Sequence, residues 1–165
     1  MPQVVVDIAQ MQITDNPDDV LVTYSLGSCL GVTVYDPQIQ VGGMVHCMLP
    51  LSKVDQTKAK ARPGMFVDTG VSQLLTTLFK MGARKSRIVI NVAGGAHVLN
   101  NANNMFKIGE RNFTVMRKIL WKNGLLMHVT EVGGTNSRTI RLHIASGAFV
   151  IKTQGQEAEY GLPRS

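Results

Sequence analysis

Apolar side chains recur at every second position through much of this chain, and those stretches predict its strands. Val4, Val6 and Ile8 fall on one side of a strand running from Gln3 to Ala9, and a second runs from Val20 to Ser25 after the loop Asn16-Pro17-Asp18-Asp19. Leu30, Val32 and Val34 share a face with Val41, Val45, Cys47 and Leu49 across a hairpin. A buried strand is expected from Arg87 to Ala93. Leu125 to Val132, Arg138 to Ala145 and Ala148 to Thr153 read as a meander joined through Gly133–Ser137 and Ser146-Gly147. The period lengthens to that of a helix twice. From Met65 to Met81 the stripe is Val67, Val71, Leu74, Leu75, Leu78 and Phe79, with Gly82 as its cap; from Glu110 to Lys122 it is Phe113, Met116, Ile119 and Leu120. Pro50 to Gly64 is polar and reads as a mobile surface loop, and the tail over 152–165 as frayed. About eight strands and two main helices are too few helices to cover both faces of one sheet, which predicts an α+β fold with the strands split into two packed layers.

The hairpin is where the chemistry concentrates. Asp36-Pro37-Gln38-Ile39 reads as its turn, since proline presets φ at the second position and Asp favours the first. With Pro37 and Gln38 as the loop, Cys29 faces His46, at the spacing of opposed residues that lets a thiol and an imidazole hydrogen-bond. The face they share also carries Gly31, Thr33, Tyr35, Gly42 and Met44. It reads as small and polar around the pair, with Gly27, Gly31 and Gly42 leaving an approach for a substrate. A bulge at Gly42-Gly43 would shift this register.

Composition adds bounds. At 165 residues the chain is expected to be one domain, 1–165, with a core that needs no staples. Two cysteines with no CxxC or Cys/His zinc spacing argue against a disulfide or zinc framework. Cys47, on the opposite side from Cys29, is expected to be a buried structural thiol. No signal peptide and no run of about 18 apolar residues is present, so a cytoplasmic protein without membrane insertion is expected. The net charge of +6 sits in scattered groups, Lys58-Lys60-Arg62, Arg84-Lys85-Arg87, Arg117-Lys118 and Lys122, without interleaved aromatics. A solvated surface comes first, an acidic partner second and nucleic acid last.

Other reactive groups have plainer readings. Gly94-Gly95-Ala96-His97 follows a strand but lacks the phosphate-loop pattern, and Asn100, Asn101, Asn103 and Asn104 read as loop. His97, His128 and His143 have no ligand-spaced partners, so no metal is expected. Spacing does not decide whether Asp36, Asp55 or Asp68 orients a histidine or is simply solvated.

The runs TYSLGSCLGVTVYDP, VGGMVHCMLP, RPGMFVDTGV, AGGA, KIGERN and GGTNSR, in that order, resemble the chemoreceptor glutamine deamidase (CheD) family over roughly Asp7 to Thr153. The resemblance implies an αββ sandwich of mostly antiparallel strands, similar to toxin-type glutamine deamidases. It implies a Cys29 nucleophile, His46 as base and acid, and Thr23 orienting the histidine. The activity implied is that of a cysteine-dependent protein-glutamine amidohydrolase without cofactor, acting on glutamines of chemoreceptor cytoplasmic helices. Some members also hydrolyse receptor glutamate methyl esters, and some bind the phosphatase CheC. Cys47 stands where the family more often has an apolar residue.

Those residue types suit the reaction. A histidine that accepts the thiol proton makes Cys29 a nucleophile toward an amide, and backbone N–H groups around Gly27, Ser28 and Cys29, beside Gly31, would hold the oxyanion. Cys29 is then expected to alkylate faster than Cys47, with a pH profile below that of a free thiol. The alternative is a regulatory protein that docks on a CheC-like phosphatase or a receptor without essential catalysis.

Overall fold

The computed structural model describes residues 2–97 and 107–164. In chain order its elements are β1 (Gln3–Val5), β2 (Met11–Thr14), β3 (Val20–Leu26), β4 (Leu30–Asp36), β5 (Val41–Cys47), α1 (Gln56–Ala61), α2 (Val67–Lys80), β6 (Val89–Gly94), α3 (Ile108–Lys122), β7 (Val129–Val132), β8 (Arg138–His143), β9 (Phe149–Thr153) and β10 (Gln156–Tyr160), with short 3₁₀ turns at Ser52–Val54 and Pro63–Met65. The strands form two sheets, β1-β3-β8-β9-β10 and β2-β5-β4-β6-β7. Pairing is antiparallel except for β1 with β3 and β6 with β7.

Three layers result, as the α+β expectation requires. Leu30, Val32, Val34, Val41, Val45 and Cys47 turn one face of the second sheet toward α2 and α3, meeting Val71, Leu74, Leu78, Met116 and Leu120. The other face, with Tyr35 and Met44, packs on Leu21, Leu26, Ile140, Leu142 and Phe149 of the first sheet. Each large side chain so buried contributes about 1.5–3 kcal/mol by leaving water. The alternation along β4 and β5 therefore chose the layer each side chain enters, helix side or sheet side.

The hairpin register differs from expectation. Asp36 pairs with Val41, so the loop is Pro37–Gln40, and His46 lies opposite Gly31 rather than Cys29. Asp36 is the reason: its buried carboxylate accepts from the Gln38 and Arg84 N–H groups and from Arg87, holding Asp36 at the strand end while Gln40 takes φ 51 to turn back. Each residue's partner moves by two positions, which preserves sidedness, so the predicted faces survive.

Other boundaries also shift. The first strand stops at Val5, and β2, unpredicted, pairs with β5. The expected mobile loop 50–64 holds α1, capped by the Asp55 side chain accepting from the Lys58 N–H. The expected meander divides: β7 runs parallel to β6 in one sheet, while β8 and β9 belong to the other. The tail does not fray, because Gln154 and Gly155, at φ 51 and 76, turn β10 back onto β9. The run from Asn100 to Asn104 lies outside the described residues. Among the described residues no helix is long and apolar enough to cross a membrane.

Candidate active site

Cys29 ends a bend, Gly27-Ser28-Cys29, between β3 and β4, and all three residues are half-buried. A bulge in β3 prepares this bend. Pairing with β8 shifts between Thr23 and Leu26, and Ser25 takes φ 56. The extra residue lets Thr23 and Leu26, three apart, both point inward while Tyr24 and Ser25 face out.

Each carbonyl of the bend is held from outside. Gly27 O accepts from the Ala96 N–H at 2.9 Å and Cys29 O from the Gly95 N–H at 2.9 Å. Ser28 O accepts from Asn112 Nδ2 at 2.9 Å. Gly94, at φ +108, brings the backbone so near that a Cβ there would run into the Cys29 carbonyl. The AGGA run is thus a packing surface for the cysteine bend and not a phosphate loop.

His46 is 3% exposed. Its backbone is fixed on both sides: its N–H donates to Gln10 O at 3.1 Å, and its carbonyl accepts from the Ala9 N–H at 2.9 Å. Its Nδ1 lies 2.7 Å from Thr23 Oγ1, and that hydroxyl donates to Val6 O at 2.6 Å. A hydroxyl has one proton. Since Thr23 gives it to Val6, Oγ1 can only accept from His46, so Nδ1 carries the imidazole proton and Nε2 keeps its lone pair.

Burial pushes His46 down from 6.5 to about 4, against a smaller opposing pull from the Asp7 carboxylate. The ring is therefore neutral near pH 7. Burial also raises the Cys29 thiol, with its own backbone N–H acting the other way. Both directions favour the neutral forms of the thiol and the imidazole, the reverse of the depressed thiol profile expected. Cys47 is fully buried in the helix-facing core and raised by that burial, and both cysteines are free.

The sequence-derived residues divide accordingly. Thr23 and His46 are bonded across the two sheets, whereas Cys29 lies one residue beyond the last rung of the β4–β5 ladder, Leu30 with Cys47, and packs on the inter-sheet cluster that His46 also faces. The shared face is not open, however. A Cβ on Gly31 would lie 2.6 Å from Ile140 Cδ1 and 2.7 Å from Leu26 Cδ1, and one on Gly42 would meet Ile144 and Leu142. These glycines admit side chains of the first sheet, and the accessible edge is the Gly27–Cys29 bend with half-buried Met48 and Leu49. The three aspartates serve elsewhere. Burial alone would raise Asp36, but Arg87 and the Arg84 and Gln38 N–H groups outweigh it and hold the carboxyl low. Asp55 caps α1, and Asp68 accepts from Ser52.

Asn112 was missed as a site residue. Its signal was an amide within the buried stripe Gly109, Asn112, Met116 and Leu120 of α3. An apolar groove of about 430 Å³ along α3, by exposed Trp121 and Leu126, includes neither Cys29 nor His46.

A family model described as CheD chemotactic sensory transduction matches residues 48–153. A probable chemoreceptor glutamine deamidase CheD 1 of Syntrophus aciditrophicus is 43% identical over 155 residues, covering 94% of this chain and 96% of that protein. A probable chemoreceptor glutamine deamidase CheD of Solibacter usitatus is 43% identical over 96% of this chain and 94% of its own. One of Methanococcus maripaludis is 36% identical over 77% of this chain and 80% of its own. The two 43% identical relatives align over nearly the whole chain, and with the family-model match they place the protein: it belongs to the CheD family.

Proposed function

We propose that the chain is a chemoreceptor glutamine deamidase, converting glutamine side chains on receptor cytoplasmic helices to glutamate through a Cys29 thioester. One observation carries the mechanism: the Val6–Thr23–His46 chain of hydrogen bonds, which leaves Nε2 unprotonated on the side of the sheet where Cys29 lies. The names borne by the relatives supply the substrate class.

The glutamine side chain enters over the Gly27–Cys29 bend. His46 Nε2 takes the thiol proton as Sγ attacks the amide carbon, so the thiolate need not exist beforehand. The carbonyl oxygen gains the charge. With the bend's three carbonyls already turned to Gly95, Ala96 and Asn112, the N–H groups of Ser28 and Cys29 are the donors for it, each worth about 3–4 kcal/mol where such donors act. The imidazolium returns its proton to the departing nitrogen, ammonia leaves and the thioester remains. His46 then activates water, whose attack releases glutamate and restores the thiol. A glutamate methyl ester can enter the same thioester, with methanol as leaving group. Thr23 orients the ring without countering its charge, so the imidazolium gains less than an aspartate would give.

Such a substrate places the enzyme in the cytoplasm, and a CheC-like phosphatase is a second partner that a pull-down would test. The decisive experiment is incubation with a receptor cytoplasmic fragment followed by peptide mass mapping. Each converted glutamine gains about one mass unit, because NH₂ is exchanged for OH. Cys29→Ala and His46→Ala should convert none while keeping the fold; conversion by Cys29→Ala would eliminate the thioester route. Wild-type protein that docks on receptor or phosphatase but converts nothing would leave the regulatory reading.

A further inference from the structure

We propose that Asn112 is a positioning residue for this reaction, its side-chain amide setting the Cys29 bend against the end of the His46 strand. The proposal rests on the deamidase reading. Asn112 has no exposed surface. Its Nδ2 donates to Ser28 O at 2.9 Å and to Met48 O at 3.1 Å. Ser28 immediately precedes Cys29, and Met48 lies two residues past His46. One planar amide therefore spans the two segments that carry the reacting pair.

Nothing in the sheet does this. The β4–β5 ladder ends at Leu30 with Cys47, so Ser28 and Met48 lie beyond its last rung. Their carbonyls converge on one buried point, where two acceptors repel unless a double donor lies between them. A neutral amide has two N–H protons and brings no charge beside the thiol. The helix is placed for it. Gly109 meets Gly95 so closely that a Cβ would lie 2.6 Å from Gly95 C and O, which lets a short side chain one turn on reach the bend. The remaining atom, Oδ1, is buried and has no partner among the described residues. An acceptor left unpaired opposes stability, so the amide is not explained by stability alone.

The test separates position from stability. Asn112→Asp keeps the size but replaces the donors with acceptors; Asn112→Ala removes them; Asn112→Ser keeps a single hydroxyl donor. Met116→Ala, one turn along the same buried stripe, removes packing without touching either carbonyl. For each protein, iodoacetamide alkylation of Cys29 is followed against pH by peptide mass spectrometry, and kcat and KM are measured on the receptor fragment. Asn112→Ala and Asn112→Asp should lower kcat by about 10- to 100-fold, with KM within about twofold. Both should change the Cys29 alkylation profile, and Asn112→Ser should fall between them and wild type. Met116→Ala should lower Tm but leave the Cys29 profile and kcat as in wild type. Folded Asn112 variants with wild-type profile and kcat would overturn the proposal, as would a Met116→Ala variant that shifts both equally. Loss of fold in all three Asn112 variants would make the residue structural and overturn it too. If wild-type protein converts no glutamine, the deamidase reading fails, yet the alkylation comparison still tests the positioning.

Discussion

Thr23 directs its hydroxyl proton to Val6 O, and the lone pair left over fixes Nδ1 of His46 as the protonated nitrogen. Thr23→Val, nearly the same shape, removes both bonds at once. The ring then loses its orientation, and a buried N–H and a buried carbonyl lose partners, at about 1–3 kcal/mol for each group left unsatisfied. Deamidation should fall by about 10- to 100-fold in kcat, and Thr23→Ser should restore most of it. Equal activity in Thr23→Val and Thr23→Ser would mean that packing alone orients the ring. Acid should also leave the base intact over a wide range. With His46 near 4, kcat/KM should not drop between pH 7 and 5 through imidazole protonation, whereas a ring at its ordinary 6.5 would lose most of its base form by pH 5. Cys29 should still outpace Cys47 toward iodoacetamide, because only Cys29 is accessible, with a profile set above that of a free thiol.

At the scale of elements, the cysteine bend depends on glycines that the sequence displayed without explaining. Gly94 combines φ +108 with a Cβ position blocked by the Cys29 carbonyl, whereas Gly155 has φ +76 and nothing within 4 Å. Gly155→Ala should therefore cost only the conformational penalty, about 1–2 kcal/mol. Gly94→Ala must also move the bend, so it should cost more in urea denaturation and abolish most Cys29 alkylation. Equal costs would show that the bend moves freely. The predicted strand faces were legible because alternation is local, and a two-position change of register leaves it untouched. The register itself was not legible, since Asp36 is anchored by Arg84 and Arg87 from a distant segment. The same distance hid Asn112. Its amide was visible within a helical stripe, but Ser28 and Met48 became its partners only through packing of α3 on the AGGA turn.

For the whole molecule, the layered order followed from too few helical stripes for the strands to be covered, but the assignment of strands to sheets did not. β7 and β8 are neighbours in sequence and lie in different sheets, because the glycines between them release the chain from one layer to the next. That layering seals His46 between sheets and links the site to global stability. Above pH 6.5 the ring is neutral whether folded or unfolded, so its titration contributes nothing. Below 6.5 the unfolded chain takes up a proton that the folded protein, held near 4, refuses. Stability must then fall as pH drops from 6.5 toward 4 and level off below it, by about 3 kcal/mol for a shift of this size. His46→Asn removes the titration while offering an amide N–H to Thr23. Between pH 7 and 4, wild-type protein should lose about 3 kcal/mol more than His46→Asn in urea denaturation, the carboxylates other than Asp7, whose charge acts on the ring, contributing alike to both. Parallel pH curves for the two proteins would mean that the ring titrates near its ordinary value, and that the neutral base on which the thiol depends is not held by burial between the sheets.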